Sequence, residues 1–152
     1  MSKSKSASSV VNTSFVILKQ PGEEWRPVEV SVGRSGIDYK ILQRLVGGYI
    51  ETMKAGWLSV IVNEEGRSKR LPPCVAVMRL PDPPLVLFGP VVVVANALKK
   101  NGESIYSGID PARITAITRS NVWLPVDHVL AGPAPTWRLF PRVADTDEAS
   151  AG

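Results

Sequence analysis

The chain has 152 residues, of which 44% are hydrophobic and 21% charged, with a formal net charge of +4. These values are typical of one globular domain and argue against a collagen-like, disulfide-rich or wholly disordered protein. The single cysteine, Cys74, excludes an intramolecular disulfide, so we expect a reducing compartment. The longest apolar stretch, residues 85–98, is broken by glycine, proline and asparagine, and we expect no membrane span.

The two ends of the chain differ in composition from its middle. Residues 1–13 are serine-rich, carry two lysines and have no apolar run, so we expect a disordered arm and no secretory signal. Residues 144–152 are small and acidic, and we expect a second disordered segment there. Residues 14–143 are then expected to form a single folded domain.

The first elements are a hairpin and a helix. Residues 14–19 and 26–32 have strand patterns, and the Pro-Gly turn between them predicts that the two strands pair. Apolar residues at helical spacing predict a helix from Ser35, as N-cap, to Gly47. The pair Gly47-Gly48 ends that helix, because glycine adopts the left-handed conformation at little cost.

The next elements are predominantly strands. Residues 57–62 predict a buried strand, and Asn63-Glu-Glu-Gly66 predicts a hairpin tip, with Gly66 at a positive φ and residues 67–71 as the second arm. Residues 75–80 and 85–88 predict further strands, separated by a proline-rich loop at residues 81–84. The four valines at 91–94 indicate a central strand that is covered on both faces.

The last third of the chain has weaker signals. Asp110-Pro111 is a helix start, with an N-cap residue before a proline, and predicts a helix over residues 112–120. Residues 122–130 have a strand pattern, and Trp137, Leu139 and Phe140 are expected to fold back as an apolar clasp. Together the elements predict an α+β fold: a mostly antiparallel or mixed sheet of five or six strands, with one main helix packed on a face.

Motifs for catalysis and for metal or cofactor binding are missing. The one histidine, His128, lies more than fifty residues from Cys74, so these two side chains do not form a zinc-binding pattern. The chain has no Walker loop, nucleophile elbow or dinucleotide fingerprint. We therefore expect no metal, no cofactor and no catalytic residue, and we interpret Cys74 as a buried, inert thiol.

Two polar segments are candidate binding sites. Adjacent glycines leave the backbone unshielded, so a ligand can approach closely at the end of the predicted helix, and the Asn-Glu-Glu tip would lie nearby. The candidate ligand- or partner-binding residues are Gln43, Gly47, Gly48, Tyr49, Glu51, Asn63, Glu64 and Glu65. The more ordinary interpretation is a helix cap and a solvated turn, with Tyr49 in the core.

A basic cluster and apolar segments suggest other surfaces. Arg67, Lys69 and Arg70 are interpreted as a charged edge strand. The alternative is contact with phosphate, which together with Lys99 and Lys100 would give weak nucleic-acid binding. A protein partner would instead need an exposed apolar patch, expected at residues 85–88 or 137–140.

Several motifs resemble those of a known family. The segments Leu42-Gln-Arg-Leu-Val-Gly-Gly-Tyr-Ile-Glu51 and Val62-Asn-Glu-Glu-Gly66, followed by Leu71-Pro72 and Gly89-Pro-Val-Val-Val93, resemble the DUF3846 family over residues 15–95. The chain lacks the asparagine that follows Leu-Pro in the family pattern, which puts in doubt any site that needs it. The resemblance implies a small protein of a phage, plasmid or other mobile element that acts in the bacterial cytoplasm, but no reaction and no cofactor.

From these observations we expect a non-catalytic accessory protein that binds a host or phage protein. The alternatives are a sponge-like binder of a nucleotide or small molecule, with a pocket beside Gly47-Gly48 lined by Gln43, Tyr49 and Asn63, and a weak nucleic-acid binder.

Overall fold

The computed structural model describes residues 12–120 and 122–126. In these residues the chain forms nine strands and two helices. Their bounds are β1 (Asn12–Lys19), β2 (Arg26–Val32), α1 (Tyr39–Val46), β3 (Ile50–Ala55), β4 (Leu58–Asn63), β5 (Pro73–Arg79), β6 (Asp82–Phe88), β7 (Val91–Leu98), β8 (Ser104–Ser107), α2 (Pro111–Thr118) and β9 (Trp123–Leu124).

The strands form a six-stranded and a three-stranded sheet, and every pairing between strands is antiparallel. The order of the large sheet is β2-β1-β7-β4-β3, and its sixth strand, β8, pairs with β7 outside this order. The order of the small sheet is β9-β5-β6. The long strand β7 pairs with β1 through Val91–Val93 and with β8 through Ala95–Leu98. Because β4 occupies the other edge of β7, β1 and β8 follow one another along the same edge. The α+β class and the mostly antiparallel sheet are therefore confirmed.

The valine run at the start of β7 is the centre of the molecule. Val91, Val92, Val93 and Val94 are each 0% exposed, as the sequence predicts for a strand covered on both faces. Val92 and Val94 share a core cluster with Leu42 and Val46 of α1. Val91 packs with residues of the small sheet, and Val93 packs near α2, so the two faces of the large sheet are covered by different elements.

Helix α1 begins later than the sequence predicts, and Asp38 rather than Ser35 is its N-cap. The Asp38 carboxylate accepts a hydrogen bond from the Lys40 amide at 2.8 Å. Ser35 lies instead in a tight turn whose ends, Gly33 and Gly36, exchange two backbone hydrogen bonds of 3.1 and 3.0 Å. The turn uses the residues that the prediction assigned to the first turn of the helix.

Helix α2 follows the sequence prediction. Asp110 is the N-cap and accepts a hydrogen bond from the Ala112 amide at 3.0 Å, and Pro111 occupies the first turn. With eight residues each, α1 and α2 are equally long, so the prediction of one main helix is not confirmed. The described residues also contain nine strands rather than five or six; β3 and β8 are strands that the sequence did not predict.

Several local predictions were wrong. Residues 67–70 form a turn rather than a strand, and β5 begins at Pro73. Gly66 does not adopt a positive φ. Tyr49 is 69% exposed and is not a core residue. The proline-rich stretch at residues 82–84 belongs to β6 rather than to a loop.

The predicted ends of the domain can be compared with the structure only in part. Strand β1 begins at Asn12, inside the predicted arm, and pairs with β2 from that residue on. Most of the arm, the acidic tail, His128 and the clasp around Trp137 lie outside the described residues. In the part of the chain that is described, neither helix is long and apolar enough to cross a membrane.

Candidate functional site

The segments around Gly48 and Asn63, which the sequence singles out, are joined in the structure. The Asn63 side chain is buried, donates from Nδ2 to the Val46 carbonyl at 3.1 Å, and accepts at Oδ1 from the Glu65 amide at 2.8 Å. A Cβ atom on Gly48 would lie 2.8 Å from Asn63 Nδ2. We call Gly47, Gly48 and Asn63 the glycine–asparagine junction. Both polar atoms of Asn63 are therefore used to hold the end of α1 against the turn after β4.

The other residues of the junction region lie around this contact. Gly47 has a φ of 80°, and the amides of Gly47 and Gly48 both donate to the Gln43 carbonyl, at 2.8 and 3.0 Å. The Tyr49 carbonyl accepts from the Glu64 amide at 2.8 Å. The side chains of the candidate residues Tyr49, Glu51, Glu64 and Glu65 are exposed. The structure thus supports a capping and turn role for the backbone and leaves ligand binding by these side chains a prediction.

The basic cluster is only partly available to a partner. Lys69 forms an ion pair of 2.9 Å with Glu65, four residues earlier in the sequence. The Arg67 guanidinium lies 5.9 Å from the centre of the Phe88 ring. Arg70 has a φ of 56° and lies in the same turn. Gly66 is required here because a Cβ would come within 2.5 Å of the Phe88 carbonyl.

A large concave surface that the sequence did not predict lies on the α1 face of the large sheet. Its volume is about 910 Å³, and we call it the polar cleft. Its polar and aromatic lining residues are Ser31, Arg34, Ser35, Asp38, Tyr39, Thr52, Lys54, Ser59, Asn96, Glu103, Ser104 and Tyr106.

Strand register explains why polar residues gather in the polar cleft. Side chains two positions apart on a strand share a face, so Asn96 continues the face of Val92 and Val94. On the neighbouring strand Ser59 pairs with Val94. Helix α1 covers the apolar part of this face and leaves its polar end open.

The floor of the polar cleft is fixed by hydrogen bonds. Ser59 is 1% exposed and donates to the Asn96 side-chain oxygen at 2.5 Å. The Asn96 amide nitrogen donates to the carbonyls of Gly56 and Leu58, at 3.1 and 3.0 Å. These bonds tie the β3–β4 turn to β7.

A second concave surface lies on the opposite face, between α2, β4 and the small sheet. We call it the apolar groove, and its volume is about 400 Å³. Its lining residues are Ala55, Trp57, Leu58, Val60, Val77, Met78, Val93, Arg113, Ala116, Ile117, Ser120, Val122 and Trp123. Arg113 is the one charged side chain among them.

The apolar groove carries exposed apolar side chains. Trp57, Met78 and Val122 are 45%, 36% and 44% exposed. The patch expected at residues 85–88 is instead buried or half-buried, because Leu87 packs between the two sheets and Val86 packs with Ala76 on the other face of the small sheet. The other expected patch, residues 137–140, lies outside the described residues.

Trp57 and Trp123 make specific contacts in addition to apolar packing. The Trp123 indole nitrogen donates to the Ile117 carbonyl at 2.8 Å, and its ring packs on Trp25 with centroids 4.8 Å apart. The Arg113 guanidinium lies 5.1 Å from the centre of the Trp57 ring, a cation–π geometry. The sequence showed the tryptophans but not which of them reach the surface.

Cys74 matches its interpretation as a buried thiol. It is 5% exposed, and its Sγ–H donates to the Lys19 carbonyl at 3.3 Å. Burial raises the pKa of the Cys74 thiol from 9.0 to about 11, against a smaller opposing effect of the Lys19 charge. A thiol with a raised pKa is a poor nucleophile at neutral pH.

Comparison with known proteins gives one match. A family model, described as a domain of unknown function (DUF3846), matches residues 13–112, which is more than half of the chain. The match continues past residue 95, where the motif resemblance ends, and includes Asn96 and Tyr106 of the polar cleft. No curated protein and no solved structure matches the chain. The chain belongs to the DUF3846 family.

Proposed function

We propose that this protein is a non-catalytic binding module that recognises another protein through the apolar groove. The observation that carries this proposal is the presence of three exposed apolar side chains, Trp57, Met78 and Val122, on one concave surface. Tryptophan, methionine and arginine are enriched at the centres of protein interfaces, where charged residues are otherwise depleted.

The chemistry of the groove defines the partner. The walls accept an aliphatic or aromatic anchor, because they are apolar apart from Arg113 and Ser120. The Arg113 guanidinium lies over the Trp57 ring and can donate hydrogen bonds to a carboxylate of the partner. The partner is therefore a protein segment with an apolar anchor next to an acidic residue.

The non-catalytic part of the proposal is supported by the state of Cys74, the one cysteine of the chain. The thiol of Cys74 is buried with a raised pKa, which is the opposite of nucleophile activation.

The setting of the protein is also part of the proposal. We infer that it is an accessory protein of a phage, plasmid or other mobile element and acts in the cytoplasm of a bacterial host. The family resemblance supports the origin, and the single unpaired cysteine in the sequence supports a reducing compartment.

The test is capture of partners from a bacterial host lysate by the tagged full chain and by two variants. Trp57→Ala removes the exposed ring of the groove, while Tyr49→Ala removes an exposed ring that does not line the groove. We expect one protein to be captured in stoichiometric amount by the wild type and by Tyr49→Ala, and to be lost with Trp57→Ala.

The same capture is run at low and high salt, with and without nuclease. A partner bound through the apolar groove survives both treatments. Material that nuclease or salt removes would contradict the proposal and favour the basic cluster. Equal capture by the two variants, or recovery of only a second copy of the chain, would also contradict it.

A further inference from the structure

We propose that the polar cleft is a second binding site, separate from the apolar groove, and that its ligand is a mononucleotide. The inference is independent of the proposed protein partner, because the cleft lies on the opposite face of the large sheet. It rests on two features of the lining: two cations that form no ion pair among the described residues, and a tyrosine ring that is open to the cleft.

The charges in the polar cleft favour an anion. Among the described residues, neither Arg34 nor Lys54 forms an ion pair, although both line the cleft. Glu103 is neutralised by Lys99 in an ion pair of 3.1 Å, whereas the Asp38 carboxylate, which caps α1, keeps its negative charge. The charged residues of the cleft, counted with Lys99, therefore carry one net positive charge.

The aromatic residues favour a flat ring. Tyr39 is 61% exposed, and its ring centre lies 6.1 Å from that of Tyr106 in a tilted arrangement. The Tyr106 hydroxyl forms a hydrogen bond of 2.9 Å with the Thr52 hydroxyl, which fixes the orientation of the Tyr106 ring. A base that stacks on Tyr39 would find an aromatic wall that is already in place.

The size and the remaining polar groups favour a single nucleotide. A volume of about 910 Å³ lies in the range of small-molecule sites. Hydroxyl groups of Ser31, Ser35 and Ser104 line the same cleft and offer hydrogen bonds to a ribose or phosphate. Arg34 and Lys54, which form no ion pair among the described residues, are enough to contact one phosphate group, whereas a nucleic-acid strand would need a longer basic track.

The test is calorimetric titration of the full chain with AMP, GMP, CMP and UMP, and with inorganic phosphate and the corresponding nucleosides as separate probes. We expect saturable one-site binding of at least one mononucleotide, and weaker binding of its nucleoside and of phosphate alone. The nucleoside alone and phosphate alone should each bind more weakly, because the proposed site contacts both the base and the phosphate of the nucleotide.

Matched variants localise the site. Tyr39→Ala and Lys54→Gln should each weaken binding about tenfold, the loss expected for one stacking or charged contact. Tyr49→Ala and Lys69→Gln remove an exposed tyrosine and an exposed lysine outside the cleft and should change affinity by less than about twofold. Absence of binding by all four mononucleotides, or equal effects of the four variants, would overturn the proposal.

Discussion

Asn63 connects two parts of the chain that are seventeen residues apart, the end of α1 and the turn after β4. Its side-chain amide donates to the Val46 carbonyl, one of the carbonyls at the helix end that have no partner within the helix. Gly48 is required beside it, because any larger residue would displace the Asn63 amide. Two motifs that look like a ligand site in the sequence thus form a structural contact.

Asn63→Ala should lower the free energy of unfolding by about 1–3 kcal/mol, since it leaves a buried carbonyl without a donor. Urea unfolding of the variant and the wild type measures the change. Glu64→Ala, at the exposed neighbouring position, serves as the control and should stay within about 0.5 kcal/mol of the wild type. A stability of Asn63→Ala equal to that of the control would exclude the structural role.

Cys74 gives a prediction about high pH. Its pKa rises on folding from 9.0 to about 11, so the folded state holds the proton more tightly than the unfolded state. The stabilisation is complete below about pH 9 and is lost as the pH rises towards 11. The free energy of unfolding should therefore fall more steeply over this range for the wild type than for Cys74→Ala.

Denaturant unfolding at several pH values between 8 and 11 provides this comparison, because subtracting the Cys74→Ala curve removes the contribution of lysines and tyrosines. If the free energy of unfolding falls equally with pH in the two proteins, the thiol has the same pKa in the folded and unfolded states, and the prediction is wrong.

At the scale of elements, the start of α1 depends on which residue caps it. Asp38→Ala should lower the free energy of unfolding by about 1 kcal/mol, because the Lys40 amide loses its acceptor. Ser35→Ala should have little effect, since Ser35 lies in the turn before the helix. Thermal unfolding of the two variants distinguishes the caps, and a larger loss from Ser35→Ala would contradict the assignment.

Local signals predicted the elements that local interactions determine. The Asp110-Pro111 pair predicted the start of α2, and the four valines predicted the buried centre of β7, because capping and burial are visible in the residues themselves. The position of residues 67–70 after the tip at residues 63–66 predicts a strand, but backbone hydrogen bonds from Lys69 to Glu65 and from Arg70 to Arg67 close the stretch as a turn. Its structure depends on contacts that the pattern does not show.

At the scale of the whole molecule, the large sheet separates two concave surfaces of different chemistry. The polar cleft forms where α1 leaves the polar end of one face uncovered, and the apolar groove forms between α2 and the small sheet. Neither was predicted from the sequence, because each combines residues from at least four separate segments. Trp57 and Arg113, for example, meet in space although more than fifty residues separate them.

Hydrogen exchange of the full chain, with and without the captured partner, tests whether a protein partner occupies the apolar groove. A partner bound there should slow exchange in α2 and at the start of β4 and leave exchange in the turn at residues 63–70 unchanged. Protection of that turn, with unchanged exchange in α2, would instead place the partner at the basic cluster and contradict binding in the groove.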